Sequence, residues 1–226
     1  MSTPRLVAVR APESPEGIVL LVHGGASRRG RMMVSPTQLS VLRMIPIARR
    51  VARAGQGRLA VHRLLNSYRG WDTSHTPVHD IEWAVGQVLE RYGPDVPICL
   101  VGHSLGGRAS ILAAGLPAVR SVVALAAFVY PTDADRLGLR DRQILFVHGL
   151  RDRIAPAQRA QQLAERLARS NRVGFIAIRN GKHAMLAEHR EFGGAAVDFV
   201  GATLLDRTPS SPVAEAMAGK GVVHVD

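Results

Sequence analysis

A serine stands between glycines in Gly102-His103-Ser104-Leu105-Gly106-Gly107, where the apolar, β-branched run Ile98 to Gly102 gives way to the helix-compatible Arg108 to Ala114. A side chain on so sharp a turn sits in strained φ/ψ, and its neighbours must lack Cβ atoms for the chain to pass. The turn lifts the hydroxyl above a sheet and leaves it at a helix N-terminus, where unpaired N–H groups and the dipole favour developing negative charge. That is a setting for a nucleophile. A serine hydroxyl is weak at neutral pH, so it needs a base, and the base needs a group that fixes its tautomer and stabilises its charged form. Two downstream runs end in candidates. Ile144 to His148 leads into Gly149-Leu150-Arg151-Asp152, placing a carboxylate just past a strand, and Val173 to Ile178 leads into Arg179-Asn180-Gly181-Lys182-His183, placing an imidazole.

The run Ile18 to Val22 ends in a second glycine turn, His23-Gly24-Gly25. Two such turns at one sheet edge can aim backbone N–H groups at an oxyanion, worth roughly 2.7 to 4 kcal/mol each. The expected donors are the amides of Leu105 and Gly25, with Ala26 as the alternative, and a plain strand-ending turn is the bland reading. Asp152 could instead be a surface partner of Arg151 or Arg153, with Asp198 as a substitute carboxylate. Of the nine histidines, His148 is expected to be packed and His75, His79 and His189 to lie on solvated faces. His23, Ala26, His103, Arg28, Arg69 and Trp71 are candidates for contacting substrate. Arg28, Arg29 and Arg31 leave the His23-Gly24-Gly25 turn directly, as Arg69 and Trp71 follow the run Leu59 to Leu65. Guanidinium groups there would favour a carboxylate or phosphate, although solvated arginines on a loop fit the pattern equally.

The elements that must hold these residues are short strands: Ile18 to His23, Leu59 to Leu65, Ile98 to Gly102, Ser121 to Ala127, Ile144 to His148 and Val173 to Ile178. Between Pro77 and Tyr92 apolar residues recur at helical spacing, and a second amphipathic helix follows Pro156 with Ala160, Leu163, Ala164 and Leu167 on one face. Alternation of strands and helices implies an α/β fold, a mostly parallel sheet covered on both faces, with ligands beyond the carboxyl ends of the strands. Ala26 to Ile45 reads as a long loop running into a helix over Pro46 to Ala54. The domain is expected to span residues 1–206, with 207–226 a loosely held extension.

At 226 residues and 46% hydrophobic composition the chain can bury one large core. No apolar run reaches the roughly 20 residues of a membrane span, and the N-terminus lacks a signal-peptide pattern, so no membrane partner and a cytoplasmic location are the default expectations. The lone Cys99 rules out an intrachain disulfide and a Cys-based metal cluster, and no metal or cofactor is expected. The formal charge is +11, and all basic residues but Lys182 and Lys220 are arginines. They are scattered without a basic run, which argues against nucleic acid as the partner and leaves a small-molecule substrate.

Taken jointly, His23-Gly24-Gly25, the glycine-flanked Ser104, His148-Gly149-Leu150-Arg151-Asp152 and Gly181-Lys182-His183 resemble the α/β-hydrolase superfamily over about Ile18 to Leu205. The order Ser104, Asp152, His183 is the order such enzymes use. The resemblance is to small lidless members related to dienelactone hydrolases, whose namesake carries cysteine where this chain has Ser104. It implies a serine hydrolase of esters or thioesters, with peptidases and non-catalytic binding modules of the same fold as alternatives. Only Leu6 to Val9 precedes Ile18 as a strand, so the leading hairpin is expected to be short. Phe128 to Gln143 leaves little room for a cap over the site.

Overall fold

The structure, a computed structural model, describes residues 3–25, 32–71 and 74–226. In chain order its elements are β1 (Arg5–Arg10), β2 (Gly17–Val22), α1 (Leu39–Ala54), β3 (Leu59–Leu65), α2 (Thr76–Tyr92), β4 (Ile98–His103), α3 (Leu105–Leu112), β5 (Val119–Leu125), β6 (Gln143–Gly149), α4 (Ala157–Leu167), β7 (Arg172–Ile178), α5 (His189–Leu204), α6 (Ser211–Met217) and β8 (Val222–Val225). The strands form one sheet in the order β1-β3-β2-β4-β5-β6-β7-β8, parallel throughout except for β1, which runs antiparallel to β3.

Strand periodicity divides the core in two. Ile18, Leu20 and Val22 of β2 point to the face covered by α2, α3 and α4, while Val19 and Leu21 point to the face covered by α1, α5 and α6. Burial of both faces is why these strands read as continuous apolar runs rather than alternating ones. Between β5 and β6 the chain forms only a short 3₁₀ helix, Pro131–Arg136. No helix among the described residues is long and apolar enough to cross a membrane.

Three expectations need correction. The helix expected from Pro46 begins at Leu39, with Pro46 inside it. An interior proline costs about 3 kcal/mol, but the longer helix also buries Val41 and Met44, worth about 1.5 to 3 kcal/mol each, so packing wins. The tail expected to be loosely held is instead folded: β8 pairs with β7 from Phe175 opposite Val222 to Ile178 opposite Val225, and α6 buries Val213, Ala216 and Met217. Without β8, β7 would be left as an unpaired edge, and four residues are too few for their alternation to be legible beforehand. Third, the strand expected over Ser121 to Ala127 runs two residues earlier, because Ala126 turns to positive φ.

Candidate active site

The chain reverses its direction of sheet growth at β2, which has β3 on one side and β4 on the other. At such a switch point successive connections leave to opposite faces and open a crevice at the carboxyl ends. Val22 lies opposite Gly102, so the turns after β2 and β4 emerge side by side. Ser104 occupies the second turn at φ 56° and ψ −122°, a conformation few L-residues adopt. The strain is held by three hydrogen bonds: Ser104 N–H donates to Leu125 O at 3.0 Å, and Ser104 O accepts from Arg108 N–H at 3.2 Å and Phe128 N–H at 3.1 Å. Gly24 must be glycine here, since a Cβ would lie 2.9 Å from that of Ser104.

Asp152 and His183 arrive from the ends of β6 and β7, and the three side chains meet. His183 Nε2 lies 2.9 Å from Ser104 Oγ, and His183 Nδ1 lies 2.8 Å from Asp152 Oδ2. The other carboxylate oxygen accepts the Ile154 and Ala155 amides, both at 2.8 Å. With Asp152 Oδ2 accepting Nδ1–H, the lone pair of the imidazole is on Nε2, facing the hydroxyl. The acid and base loops come together through Gly149 and Gly181, where a Cβ on either would strike the backbone of the other. Leu150 N–H donates to Ile178 O at 2.9 Å and Arg151 N–H to Gly181 O at 3.0 Å. The Asp152 side chain is 0% exposed and that of His183 13%, so the carboxylate does not pair with Arg151 or Arg153. Asp198 lies elsewhere, on α5, accepting Ser210 N–H. Burial alone would raise the Asp152 carboxyl, but the imidazoles of His148 and His183 and the Ala155 amide outweigh it and hold the group below the usual carboxylate range.

The other histidines near the crevice are braces. His23, a candidate for substrate contact, is buried beneath the first turn: its Nδ1–H donates to Gly24 O at 2.6 Å and its Nε2 accepts Asn66 N–H at 3.2 Å. It does not line the cleft, because these bonds turn the ring inward, and burial pushes it down to about 4. His103 does line the cleft and donates Nε2–H to His183 O at 2.9 Å. Burial and the nearby His183 lower it to about 3, so it stays neutral and its Nδ1 is an acceptor without a partner among the described residues. His148 is packed as expected, donating Nε2–H to Ala155 O at 2.8 Å.

A family model described as the alpha/beta hydrolase family matches residues 19–224. The chain belongs to that family. Among solved structures, a protein of unknown function from Agrobacterium tumefaciens superposes on this hydrolase with a TM-score of 0.69 at 16% identity, covering 92% of this chain and 94% of that one. The esterase domain of a Rhodothermus marinus protein gives 0.62 at 18%, over 88% and 97%. A puromycin-hydrolyzing peptidase from Mycobacterium tuberculosis gives 0.65 at 16%, over 89% of this chain and 38% of the other. At these identities the likeness is one of fold. No curated protein matches the chain in sequence.

A cleft of about 500 Å³ opens beside Ser104, His183, Gly24 and Gly25. Arg69 lines it, as anticipated, on a loop anchored by Ser67, whose N–H and hydroxyl both donate to buried Asp80. Trp71 does not. Its ring packs against the core and carries the Arg108 guanidinium 4.5 Å above it, while Arg108 also stacks 4.8 Å from the Tyr130 ring and pairs bidentately with Asp133. That staple fixes the 3₁₀ segment and occupies one face of the indole. Ala26 and Arg28 lie outside the described residues. The start of α1 adds a wall that the sequence reading placed in a loop, with Gln38, Leu39 and Arg43 lining the cleft. The spacing Leu39, Arg43, Ile47 carried a helical signal, masked by Pro46.

Proposed function

We propose that the protein is a serine hydrolase that cleaves small carboxylic esters or thioesters through an acyl-enzyme on Ser104. The reading is carried by the unbroken relay from Ser104 Oγ through His183 to Asp152, with contacts of 2.9 and 2.8 Å. His183 Nε2 takes the hydroxyl proton as Oγ adds to the substrate carbonyl. Asp152 holds the tautomer and stabilises the imidazolium. The oxyanion is received by the amides of Leu105 and Gly25, neither of which has an acceptor among the described residues. Collapse expels the alcohol or thiol with the proton from His183, and water, deprotonated by the same base, frees the acid and restores Ser104.

A second cleft of about 300 Å³ adjoins the first through Leu39 and Arg43, walled by Leu42, Pro46, Ile47, Met185 and Phe192. We assign it to a short acyl chain, since its volume is at the low end for ligand sites. A fluorophosphonate probe tests the reading. Mass spectrometry should find the adduct on Ser104 and none in Ser104→Ala, whereas a folded wild-type protein that does not label would be a binding module.

A further inference from the structure

Arg58, Arg108, Arg166 and Arg179 each meet a carboxylate. Arg43 and Arg69 differ. Both line the catalytic cleft with Ser104 and His183, and neither guanidinium makes an ion pair or hydrogen bond among the described residues. In both, Nε is shut off from solvent without a partner. A buried donor with no acceptor costs roughly 1 to 3 kcal/mol, more when charged, so neither side chain has its charge compensated within the described protein, and an anion in the cleft would supply that compensation to the rest of each guanidinium.

Among the described residues the cleft offers no carboxylate. No Asp or Glu of theirs lines it, and the adjoining opening beyond His183 adds Arg151, Arg153 and Lys182 against the single carboxylate of Asp152, which is buried and engaged with His183. The two arginines are also held in place. Arg43 sits one turn into α1, and Arg69 N–H donates to Met32 O at 2.7 Å on the loop that Asp80 anchors. Two guanidiniums on backbones anchored in one cleft suit a planar carboxylate or a phosphate, and the surrounding positive field would draw such a substrate in.

We infer that Arg43 and Arg69 form an anion subsite beside Ser104, and that the preferred substrate is an ester with a carboxylate or phosphate on one of its halves. The inference deepens the hydrolase reading and rests on it for its turnover arm. The test compares kcat/KM, corrected for buffer hydrolysis, for matched anionic and neutral esters. The 4-nitrophenyl monoester of adipate against 4-nitrophenyl hexanoate places the charge on the acyl half. 4-Acetoxybenzoate against its methyl ester places it on the leaving half, and 4-acetoxyphenyl phosphate replaces carboxylate by phosphate there.

In at least one arm the wild type should prefer the anion at low salt, and the preference should shrink as salt rises. The anionic-to-neutral ratio should fall about tenfold or more in both Arg43→Gln and Arg69→Gln, the effect of losing a charge-assisted hydrogen bond. It should change far less in Arg151→Gln, which alters the outer field alone. Wild-type indifference to charge in every arm, a ratio that survives either cleft substitution, or an equal fall in Arg151→Gln overturns the subsite. Turnover of the neutral esters with no anionic preference refutes the subsite and leaves the hydrolase standing. Should no ester turn over and Ser104 not label, the hydrolase reading fails, and calorimetry with adipate decides the subsite separately: heat of binding in the wild type, absent in Arg43→Gln, supports it, and no heat in the wild type overturns it.

Discussion

Replacing Asp152 by Asn tests the relay with the smallest change in shape. The carboxylate spends one oxygen on the Ile154 and Ala155 amides and the other on His183 Nδ1. An Asn can keep only one of these arrangements. If its amide nitrogen faced the two backbone N–H groups, both would lose their acceptor, at about 1 to 3 kcal/mol for the buried Ala155 donor. The carbonyl therefore stays on the backbone and the NH₂ turns to His183, whose ring must then present a lone pair at Nδ1 and carry its proton on Nε2. That proton faces Ser104 Oγ, and the base is gone. A fall in kcat of about 10⁴ is expected, the scale of a tautomer reversed in this way, with a stability loss of only about 1 to 3 kcal/mol for the charged hydrogen bond. Burst kinetics with 4-nitrophenyl acetate and urea unfolding on the same preparation separate the two effects. A folded Asp152→Asn protein with wild-type kcat would refute the relay as the source of activity.

Three further outcomes follow from the same coordinates. His23, His62 and His103 are held neutral by burial, at about 4, 4 and 3 against 6.5 unfolded. The unfolded chain therefore binds more protons below pH 6.5, and stability, full above that value, falls as pH drops toward 4, by on the order of 3 to 6 kcal/mol between pH 7 and 5; urea midpoints that stay level over this range would contradict neutral burial. Ester kcat/KM should climb about fourfold per methylene from acetyl to hexanoyl, from roughly 0.8 kcal/mol per buried CH₂, then level off as the α1 cleft fills; a continued climb to palmitoyl would refute a small acyl site. Gly181→Ala places a Cβ 2.7 Å from Gly149 Cα and should separate the base loop from the acid loop, lowering kcat by about 10²; an unchanged rate in the folded variant would mean that the loops have slack.

The sequence exposed the parts of the site whose positions follow from strand ends. Ser104, Asp152 and His183 each come just after a run of β-branched residues, and in a parallel sheet that is enough to bring them to one edge. What stayed hidden depended on side-chain direction or on a local rule that packing overrode. Whether His23 turns toward the cleft or beneath it is decided by its bonds to Gly24 and Asn66, which no spacing reveals. Trp71 follows a strand end as a rim residue would, but the Arg108 guanidinium stacks on its ring, a pairing that spacing does not encode. Arg43 was lost with the first turns of α1 because Pro46 reads as a helix start. The α5 helix does carry a legible period, with Phe192, Ala196, Phe199 and Val200 on its buried side.

After β4, each strand lies on the outer edge of the one before it, so spatial order and chain order coincide over this half of the sheet. Ser104 follows β4, Asp152 follows β6 and His183 follows β7. A chain folded only as far as β6 thus holds a nucleophile and an acid with no base between them. On the proposed assignment turnover requires β7 to be docked, so the onset of turnover during refolding would report that docking event.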